Sequence, residues 1–253
     1  MAIKISVTIL AKNAQKTLKE CLQSVKDFDE VILLDNQSTD KTQEIAKEFA
    51  NVRIFESEFL GFGALKNLAI SYARNDWILS LDSDEVLEDA LIDTIKMLKL
   101  QKGQYYSFLR KNCYGREWIK GCGWHPDWVK RIFCKQEIKF KNDLVHEGLE
   151  IPKECVEVRL KQGGIRHYTT ESIEMICAKM NRYTTLSAKK MCSNGKNGGI
   201  WRGVVRFVFV FIRDYCFRSG WKYGYKGFII AWFNASGSML KYMKTYEMKR
   251  NED

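Results

Sequence analysis

The chain has 253 residues, of which 45% are hydrophobic and 28% charged, and it contains only 2 prolines. These proportions are typical of a globular protein with a substantial core, and they exclude a disordered or fibrous chain. The net charge of +10 is unevenly distributed, since residues 1–100 hold 12 basic and 17 acidic residues, and the remainder holds 29 and 14. The basic character therefore belongs to the later part of the chain, where it favours partners that carry phosphate.

The 8 cysteines are scattered and form no C-x-x-C pair, which argues against a zinc site. The N-terminal residues indicate a strand rather than a signal peptide, so we expect reduced thiols in a cytoplasmic protein. The longest apolar stretches, 207–212 and 227–240, are too short or too interrupted to span a bilayer. Spanning requires about 20 apolar residues, whereas lying on a membrane surface requires far fewer.

The first hundred residues alternate apolar strands with amphipathic helices, a pattern typical of a parallel sheet with helices on both faces. Strands are predicted at residues 3–10, 31–34, 52–55 and 77–81. Asn13 and Asp40 are predicted to cap the first two helices, with Gln43 completing a capping box on the second. Ligands bind such sheets at the carboxyl ends of the strands, where Asp35 and the run Asp82-Ser83-Asp84 are expected.

The pattern changes from about residue 104. Further strands are predicted at 105–109, 129–134, 156–160 and 165–168, with Gly163-Gly164 forming a turn between the last two. Residues 171–191 are predicted to form a helix, and the basic, aromatic stretch 201–247 is predicted to contain more helices.

The acidic run after the fourth strand is the strongest chemical signal. Side chains i and i+2 of an extended segment share a face, so the carboxylates of Asp82 and Asp84 are expected to project together. Two carboxylates that close raise each other's pKa unless a cation lies between them, and oxygen ligands suit Mg²⁺ or Mn²⁺. The alternative is a solvated turn in which Asp84 and Glu85 begin the next helix. The expected position of Asp35 at a neighbouring strand end favours the metal site.

Several segments, in this order, resemble family 2 glycosyltransferases of the GT-A fold: VTILAKN at 7–13, LDNQSTDKT at 34–42, GFGALKN at 61–67 and LDSDE at 81–85. Three later segments resemble bacterial enzymes that add glucose to a heptose of the lipopolysaccharide or lipooligosaccharide inner core: RIF at 131–133, VHE at 145–147 and RHY at 166–168. The resemblance covers nearly the whole chain. It implies an α/β fold with a Rossmann-like, mostly parallel central sheet flanked by helices.

The resemblance also implies a domain organisation and a reaction. Residues 1–170 are expected to form the catalytic domain, with a nucleotide-sugar-binding half at 1–100 and an acceptor-binding half at 101–170. Residues 171–253 are expected to form a basic, aromatic, helical extension. The reaction implied is a metal-dependent, inverting transfer of glucose from UDP-glucose to a heptose of the core.

Roles for individual residues follow from the resemblance. Contacts to the nucleotide-sugar are assigned to Leu10, Ala11, Asn13, Asp35, Lys66, Asp82 and Ser83, with Asp35 holding the uracil or ribose. Mn²⁺ or Mg²⁺ is assigned to Asp84, with Asp82 and His167 as further ligands, and Glu85 is expected to support rather than to ligate. Glu147 is the candidate general base and Asp127 the alternative. The acidic pair usual in the family becomes His146-Glu147 here, which leaves the identity of the base open.

The C-terminal stretch interleaves cations with aromatic side chains around an apolar run. This mixture suits an anionic membrane, a nucleic acid, or packing of the segment with its arginines turned outward. We favour peripheral contact with the inner face of the cytoplasmic membrane, where a lipid-linked oligosaccharide acceptor would be presented, and we expect no nucleic-acid partner. The alternatives are a transferase for another glycan or nucleotide-sugar, a basic nucleic-acid-binding module, and a non-catalytic membrane scaffold.

Overall fold

A computed structural model describes residues 3–141 and 148–251. The chain divides into two compact units, Met1–Arg110 with Asp127–His167, and Lys111–Pro126 with Tyr168–Asp253. Residues 111–126 therefore belong to the same unit as the C-terminal helices. The functional division at residue 170, with its two halves, stays a prediction.

The strands are β1 Ile3–Ala11, β2 Phe28–Asp35, β3 Val52–Glu56, β4 Trp77–Asp82, β5 Glu85–Leu87, β6 Gln104–Tyr114, β7 Glu117–Trp118, β8 Trp128–Cys134, β9 Lys139–Phe140, β10 Leu149–Glu150 and β11 Val156–Thr170. The α-helices are α1 Leu18–Ser24, α2 Thr42–Lys47, α3 Phe62–Ser71, α4 Asp89–Lys96, α5 Ile173–Ser193, α6 Ile200–Ile212 and α7 Gly224–Arg250. A π-helical turn at Arg213–Phe217 and a 3₁₀ turn at Gly220–Tyr223 lie between the last two helices.

Within the described residues, nine strands form one sheet in the order β3-β2-β1-β4-β8-β6-β11-β5, with β7 paired to β6. Strands β3, β2, β1 and β4 are parallel to one another. Strand β8 is antiparallel to both β4 and β6, and β5 is antiparallel to β11. The α/β class and the parallel arrangement of the first four strands are confirmed, and the later strands extend the sheet in antiparallel order.

Strands β1, β2 and β4 are largely buried on both faces, which explains why they are almost continuously apolar in sequence. Successive side chains of β2 point to opposite faces, so Val31 and Leu33 pack in one core cluster while Ile32 and Leu34 pack in the other. The apolar side of α1 covers the first cluster, and Leu65 of α3 lies in the second. This two-sided burial leaves the ends of the strands as the part of the sheet where polar side chains can gather.

Neither of the two helices is capped in the way that the sequence predicts. Helix α1 begins at Leu18, and Asn13 instead adopts a left-handed conformation with φ 51° while its Oδ1 accepts a hydrogen bond from the Thr39 backbone N–H at 2.8 Å. Asp40 accepts from the Thr42 backbone N–H at 3.0 Å, so it does serve the first turn of α2. No capping box forms, because the Gln43 side chain donates to two other carboxylates.

The predicted turn at Gly163-Gly164 is wrong, because both residues lie inside the continuous strand β11. Gly163 has a φ of 72°, and a Cβ there would collide with the backbone nitrogen of Leu91 in α4. The glycine therefore permits close approach of a helix to the strand rather than a reversal of the chain.

The second unit is helical, as its sequence predicts, and has a small core of its own formed by Tyr114, Ile119, Cys122, Ile230 and Ala231. Helix α6 packs closely on α7, since a Cβ on Gly203 would lie only 3.1 Å from the carbonyl oxygen of Met239. None of the described helices is both long enough and apolar enough to cross a bilayer.

A buried carboxylate on β2 connects this strand to β1 and β3 through hydrogen bonds. Glu30 of β2 is 1% exposed and accepts hydrogen bonds from Ser6 Oγ at 2.6 Å, from Arg53 Nη1 at 3.1 Å, and from both the backbone N–H and Nε of Arg74. Burial acts to raise its pKa, but the bonds from Ser6, Arg74 and Arg53 together lower the pKa of Glu30 below its usual value.

Glu30→Gln should therefore reduce the free energy of unfolding by about 1–3 kcal/mol at neutral pH, because charged acceptors make stronger hydrogen bonds. A lowered native pKa gives stability that is present above the unfolded-state pKa and is lost as the pH falls through the native value. The difference between wild type and variant should thus shrink below about pH 4. Urea denaturation across acidic pH measures it, with exposed Glu44→Gln as control. A difference independent of pH would contradict the assignment.

Candidate active site

The register of three neighbouring strands brings the predicted site residues to one edge of the sheet. Leu10 of β1 lies opposite both Leu34 of β2 and Asp82 of β4, and Ala11 lies opposite Asp35. The carboxyl ends of the three strands are therefore level with one another. The ligand-binding edge expected of a parallel α/β sheet carries Asp35 at one strand end and Asp82 at another.

Asp35 is fully buried, and its carboxylate is held by its own loop. The backbone N–H of Ser38 and the side-chain amide of Gln43 donate to its Oδ2 at 3.2 and 2.7 Å, and the hydroxyl of Ser38 donates to Oδ1. The same hydroxyl oxygen accepts a hydrogen bond from the Asn13 backbone N–H at 2.9 Å. These bonds join the loops after β1 and β2 and orient the carboxylate at the strand end.

Asp82 lies between two cations. Its Oδ1 is 3.0 Å from Nζ of Lys66, and its Oδ2 is 2.8 Å from Nη2 of Arg131. Burial acts to raise the pKa of Asp82, but Lys66 and Arg131 hold that pKa well below its usual range. Asp82 is therefore ionised, and it holds the side chains of Lys66 and Arg131 at the end of β4.

Glu85 is a second carboxylate that balances the positive charge of Arg131. It is completely buried and contacts Arg131 Nη2, it lies 3.4 Å from Arg110 Nη1, and it accepts from the Asp82 backbone N–H at 3.1 Å. Asp82 and Glu85 raise the pKa of Arg131 against the opposing effect of burial. Glu85 thus supports the acidic turn by closing it and by balancing a buried charge, in keeping with the supporting role expected of it.

Asp84 lies beside His167, with 3.4 Å between Oδ2 and Nε2. The antiparallel pairing of β5 with β11 places Glu85 opposite His167 and so brings this histidine to the acidic turn from about eighty residues away. A carboxylate oxygen and an imidazole nitrogen form a donor pair that suits Mn²⁺, and a carboxylate suits Mg²⁺. The predicted metal ligands Asp84 and His167 are thus brought together.

Asp82 is engaged differently, because both of its oxygens face cations of the protein. Among the described residues, no group of three or more His, Cys, Asp or Glu side chains is arranged to hold a metal ion. A pair of protein ligands still fits a divalent ion of the kind that keeps its remaining positions for water and substrate phosphates.

The other predicted residues lie as follows. The backbone oxygen of Ser83 accepts from Thr17 Oγ1 at 2.9 Å, which anchors the acidic turn to the start of α1. Asp127 receives a hydrogen bond from Arg110 Nε at 2.8 Å, and Arg110 also faces Glu85. Glu147, the candidate base, and its neighbour His146 lie outside the described residues.

Two arginines at the site were not identified from the sequence as functional. Arg131 lies in the RIF segment on β8, and Arg110 lies on β6. Arg131 stands in β8 directly before the fully buried Ile132 and Phe133. A cationic residue within an apolar strand indicates a buried ion pair, because a buried charge requires a partner of opposite sign.

Glu85→Gln should lower the free energy of unfolding by about 3 kcal/mol, because it leaves Arg131 buried with one of its two compensating charges removed. Urea denaturation measures the change. The surface control Glu154→Gln, an exposed residue, should change stability by less than about 0.5 kcal/mol. Equal stabilities of wild type and Glu85→Gln would contradict the compensating role of this carboxylate.

Comparison with known proteins identifies the family of the chain. The profile of the family described as "Glycosyl transferase family 2" matches residues 6–146, which is more than half of the chain. An uncharacterized glycosyltransferase of Rickettsia typhi is 28% identical over 256 residues, covering 97% of this chain and 87% of that protein. The lipopolysaccharide core biosynthesis glycosyltransferase LpsC of Rhizobium meliloti is 25% identical over 256 residues, covering 97% and 93%.

Among solved structures, S. aureus TarS 1–349 in complex with UDP aligns with 100% of this chain and 92% of that chain, with a TM-score of 0.47 and 15% identity. The family match includes the strand ends with Leu10, Asp35 and Asp82, as well as Lys66 and Arg131. The chain belongs to glycosyl transferase family 2 and is a glycosyltransferase.

Proposed function

We propose that the protein is a metal-dependent, inverting transferase that moves glucose from UDP-glucose onto a heptose of the lipopolysaccharide or lipooligosaccharide core. The observation that carries the proposal is the pairing of Asp84 with His167 at the sheet edge that also holds Asp35. The similarity to LpsC along nearly the whole chain supports a core oligosaccharide as the acceptor.

The nucleoside half of the donor is assigned to the ends of β1 and β2. The carboxylate of Asp35 can accept hydrogen bonds from an imide N–H or a ribose hydroxyl. Leu10, Ala11 and Asn13 lie beside it through strand pairing and through the bond from Asn13 to Ser38. Asp82 and Ser83, on the other side of β1, are assigned to the ribose.

The diphosphate is assigned to the end of β4. Asp84 and His167 would hold Mn²⁺ or Mg²⁺, which when bound neutralises charge on the departing nucleoside diphosphate. Lys66 and Arg131 contribute fixed positive charge on either side of Asp82. Both cations are buried and paired with Asp82, and Arg131 is also paired with Glu85, so at this edge they hold the Asp82 carboxylate in place.

In the transfer, the acceptor hydroxyl oxygen attacks the anomeric carbon, and the bond from that carbon to the diphosphate oxygen breaks. UDP leaves with the bonding electron pair. Because the hydroxyl attacks from the face opposite to UDP, an α-linked donor gives a β-linked product. Glu147 accepts the proton of the attacking hydroxyl. Asp127 is the alternative base, although its carboxylate is engaged by Arg110.

The donor assignment is tested by thermal unfolding with UDP-glucose, UDP-galactose and ADP-heptose, each with Mn²⁺, with Mg²⁺ and with chelator. UDP-glucose should raise the midpoint most, and chelator should remove most of the shift, because a ligand that binds only the folded state stabilises it. Asp84→Asn should lose the metal-dependent part of the shift, whereas exposed Asp89→Asn should keep it. If no uridine nucleotide moves the midpoint, the site assignment is wrong.

The two candidate bases can be separated by steady-state kinetics. Glu147→Gln should lower kcat by about 10²–10⁴-fold while leaving the thermal shift with UDP-glucose intact, because a general base acts on the acceptor proton and not on donor binding. Asp127→Asn should have a smaller effect on kcat, and Glu150→Gln on β10 serves as the control. A larger loss of kcat in Asp127→Asn than in Glu147→Gln would assign the base to Asp127.

A further inference from the structure

Helix α6 turns an apolar face toward solvent. Its outward stripe consists of Trp201, Val205, Val208, Phe209 and Ile212, whose side chains are between 44% and 75% exposed. The spacing i, i+4, i+7, i+8, i+11 places all five on one side of a helix with 3.6 residues per turn. On the opposite side, Gly203 and Val210 are buried. Water-soluble surfaces seldom expose so continuous an apolar face unless it is an interaction site.

Aromatic side chains of the segment that follows α6 are exposed as well. Phe217, Trp221, Tyr225, Phe228 and Trp232 are all between 44% and 82% exposed. Two of them pack against rings on α6 itself. The ring of Trp232 lies 5.0 Å from that of Phe207, and the ring of Phe228 lies 5.6 Å from that of Phe211. The outward stripe and these five aromatics together are the apolar surface of the second unit.

The charges within residues 200–232 are almost all positive, and one of these cations, Lys226, is paired with the exposed Glu117 of β7 at 2.6 Å. Residues 200–232 contain six basic residues, Arg202, Arg206, Arg213, Arg218, Lys222 and Lys226, and a single acidic one, Asp214. Asp214 is 1% exposed, and its carboxylate is held by Arg213 Nε at 2.8 Å and by the Asn234 amide at 3.0 Å. No acidic side chain of this segment therefore reaches solvent to offset the cations.

The basic side chains border the apolar stripe rather than interrupt it. By helical geometry, Arg202 and Arg206 lie along one edge of the stripe formed by Trp201, Val205, Val208 and Ile212. An apolar face flanked by long cationic side chains and edged by Trp and Tyr is the arrangement of a helix that lies in an anionic membrane interface.

We propose that the apolar surface of the second unit docks on an anionic lipid bilayer, with α6 lying in the plane of the interface. Helix α6 has 13 residues and is about 20 Å long, which is less than the thickness of a hydrocarbon core. The proposal goes beyond the proposed function, because it uses residues of the second unit alone and no donor or acceptor chemistry.

Other occupants match the surface less well. Nucleic acid would engage the cations but would leave Val205, Val208 and Ile212 without a role, since phosphate contacts are polar. A second copy of the chain, placed face to face, would bring Arg202 and Arg206 toward their own counterparts, and like charges across an interface are costly. An anionic bilayer offers negative charge and hydrocarbon at adjacent depths, which is the combination that the surface presents.

The test is co-sedimentation of the full chain with vesicles of phosphatidylcholine alone and of phosphatidylcholine mixed with phosphatidylglycerol. The protein should bind the mixed vesicles and should be released by salt. Arg202→Gln with Arg206→Gln should weaken binding by about 25-fold, at about fivefold per cation. Trp201→Ser with Phe209→Ser should weaken it by at least about tenfold. Thermal melts identical to wild type show that the variants fold, as expected for exposed side chains.

Matched controls come from elsewhere in the chain. Lys189→Gln with Lys190→Gln removes two exposed cations from α5, and Met97→Ser removes a side chain that is 80% exposed in the first unit. Both should bind mixed vesicles as wild type does. The proposal is overturned if the controls lose binding equally or if binding is the same on vesicles without phosphatidylglycerol. It is also overturned if the variants abolish self-association or duplex DNA binding in a protein that binds no vesicles.

Discussion

The charge of Arg131, buried inside a strand of the central sheet, is the constraint on which the site depends. A guanidinium in an apolar interior requires negative partners, and it has two, Asp82 at the end of β4 and Glu85 in the turn that follows. Glu85 in turn accepts from the Asp82 backbone N–H, so the turn that carries the acidic run is closed by the same ion cluster. The position of Asp84 beside His167 follows from this closed turn.

The sheet supplies the frame for that cluster. Strands β1, β2 and β4 are largely buried on both faces, and the register aligns their carboxyl ends, where the site residues gather. Asp35 and Asp82 are separated along this edge by β1. The second unit also exposes an apolar helix face that is bordered by cations.

Much of the first unit could be predicted because its signals are local. Strands β1 to β4 appear as apolar runs, and the last residues of β1, β2 and β4 include Leu10, Asp35 and Asp82 of the site. The predictions for Gly163 and Asn13 were wrong because glycine and asparagine each occur in more than one structural role. Gly163 was predicted to form a turn, but it instead allows α4 to approach β11 closely. Asn13 was predicted to cap a helix, but its amide oxygen instead holds the loop after β2. Neither use can be read from the neighbouring residues, because each depends on a segment distant in sequence.

The sequence by itself determined the alternation of strands and helices, the acidic ends of β2 and β4, and the basic, aromatic character of the C-terminal segment. These properties depend on residue type and short-range spacing. Only the tertiary structure decided that Arg131 and Lys66 lie on either side of Asp82, that Glu85 faces inward, and that the apolar side of α6 faces solvent. Each of these depends on which strands pair and which helix faces are covered, and short-range residue spacing does not specify either.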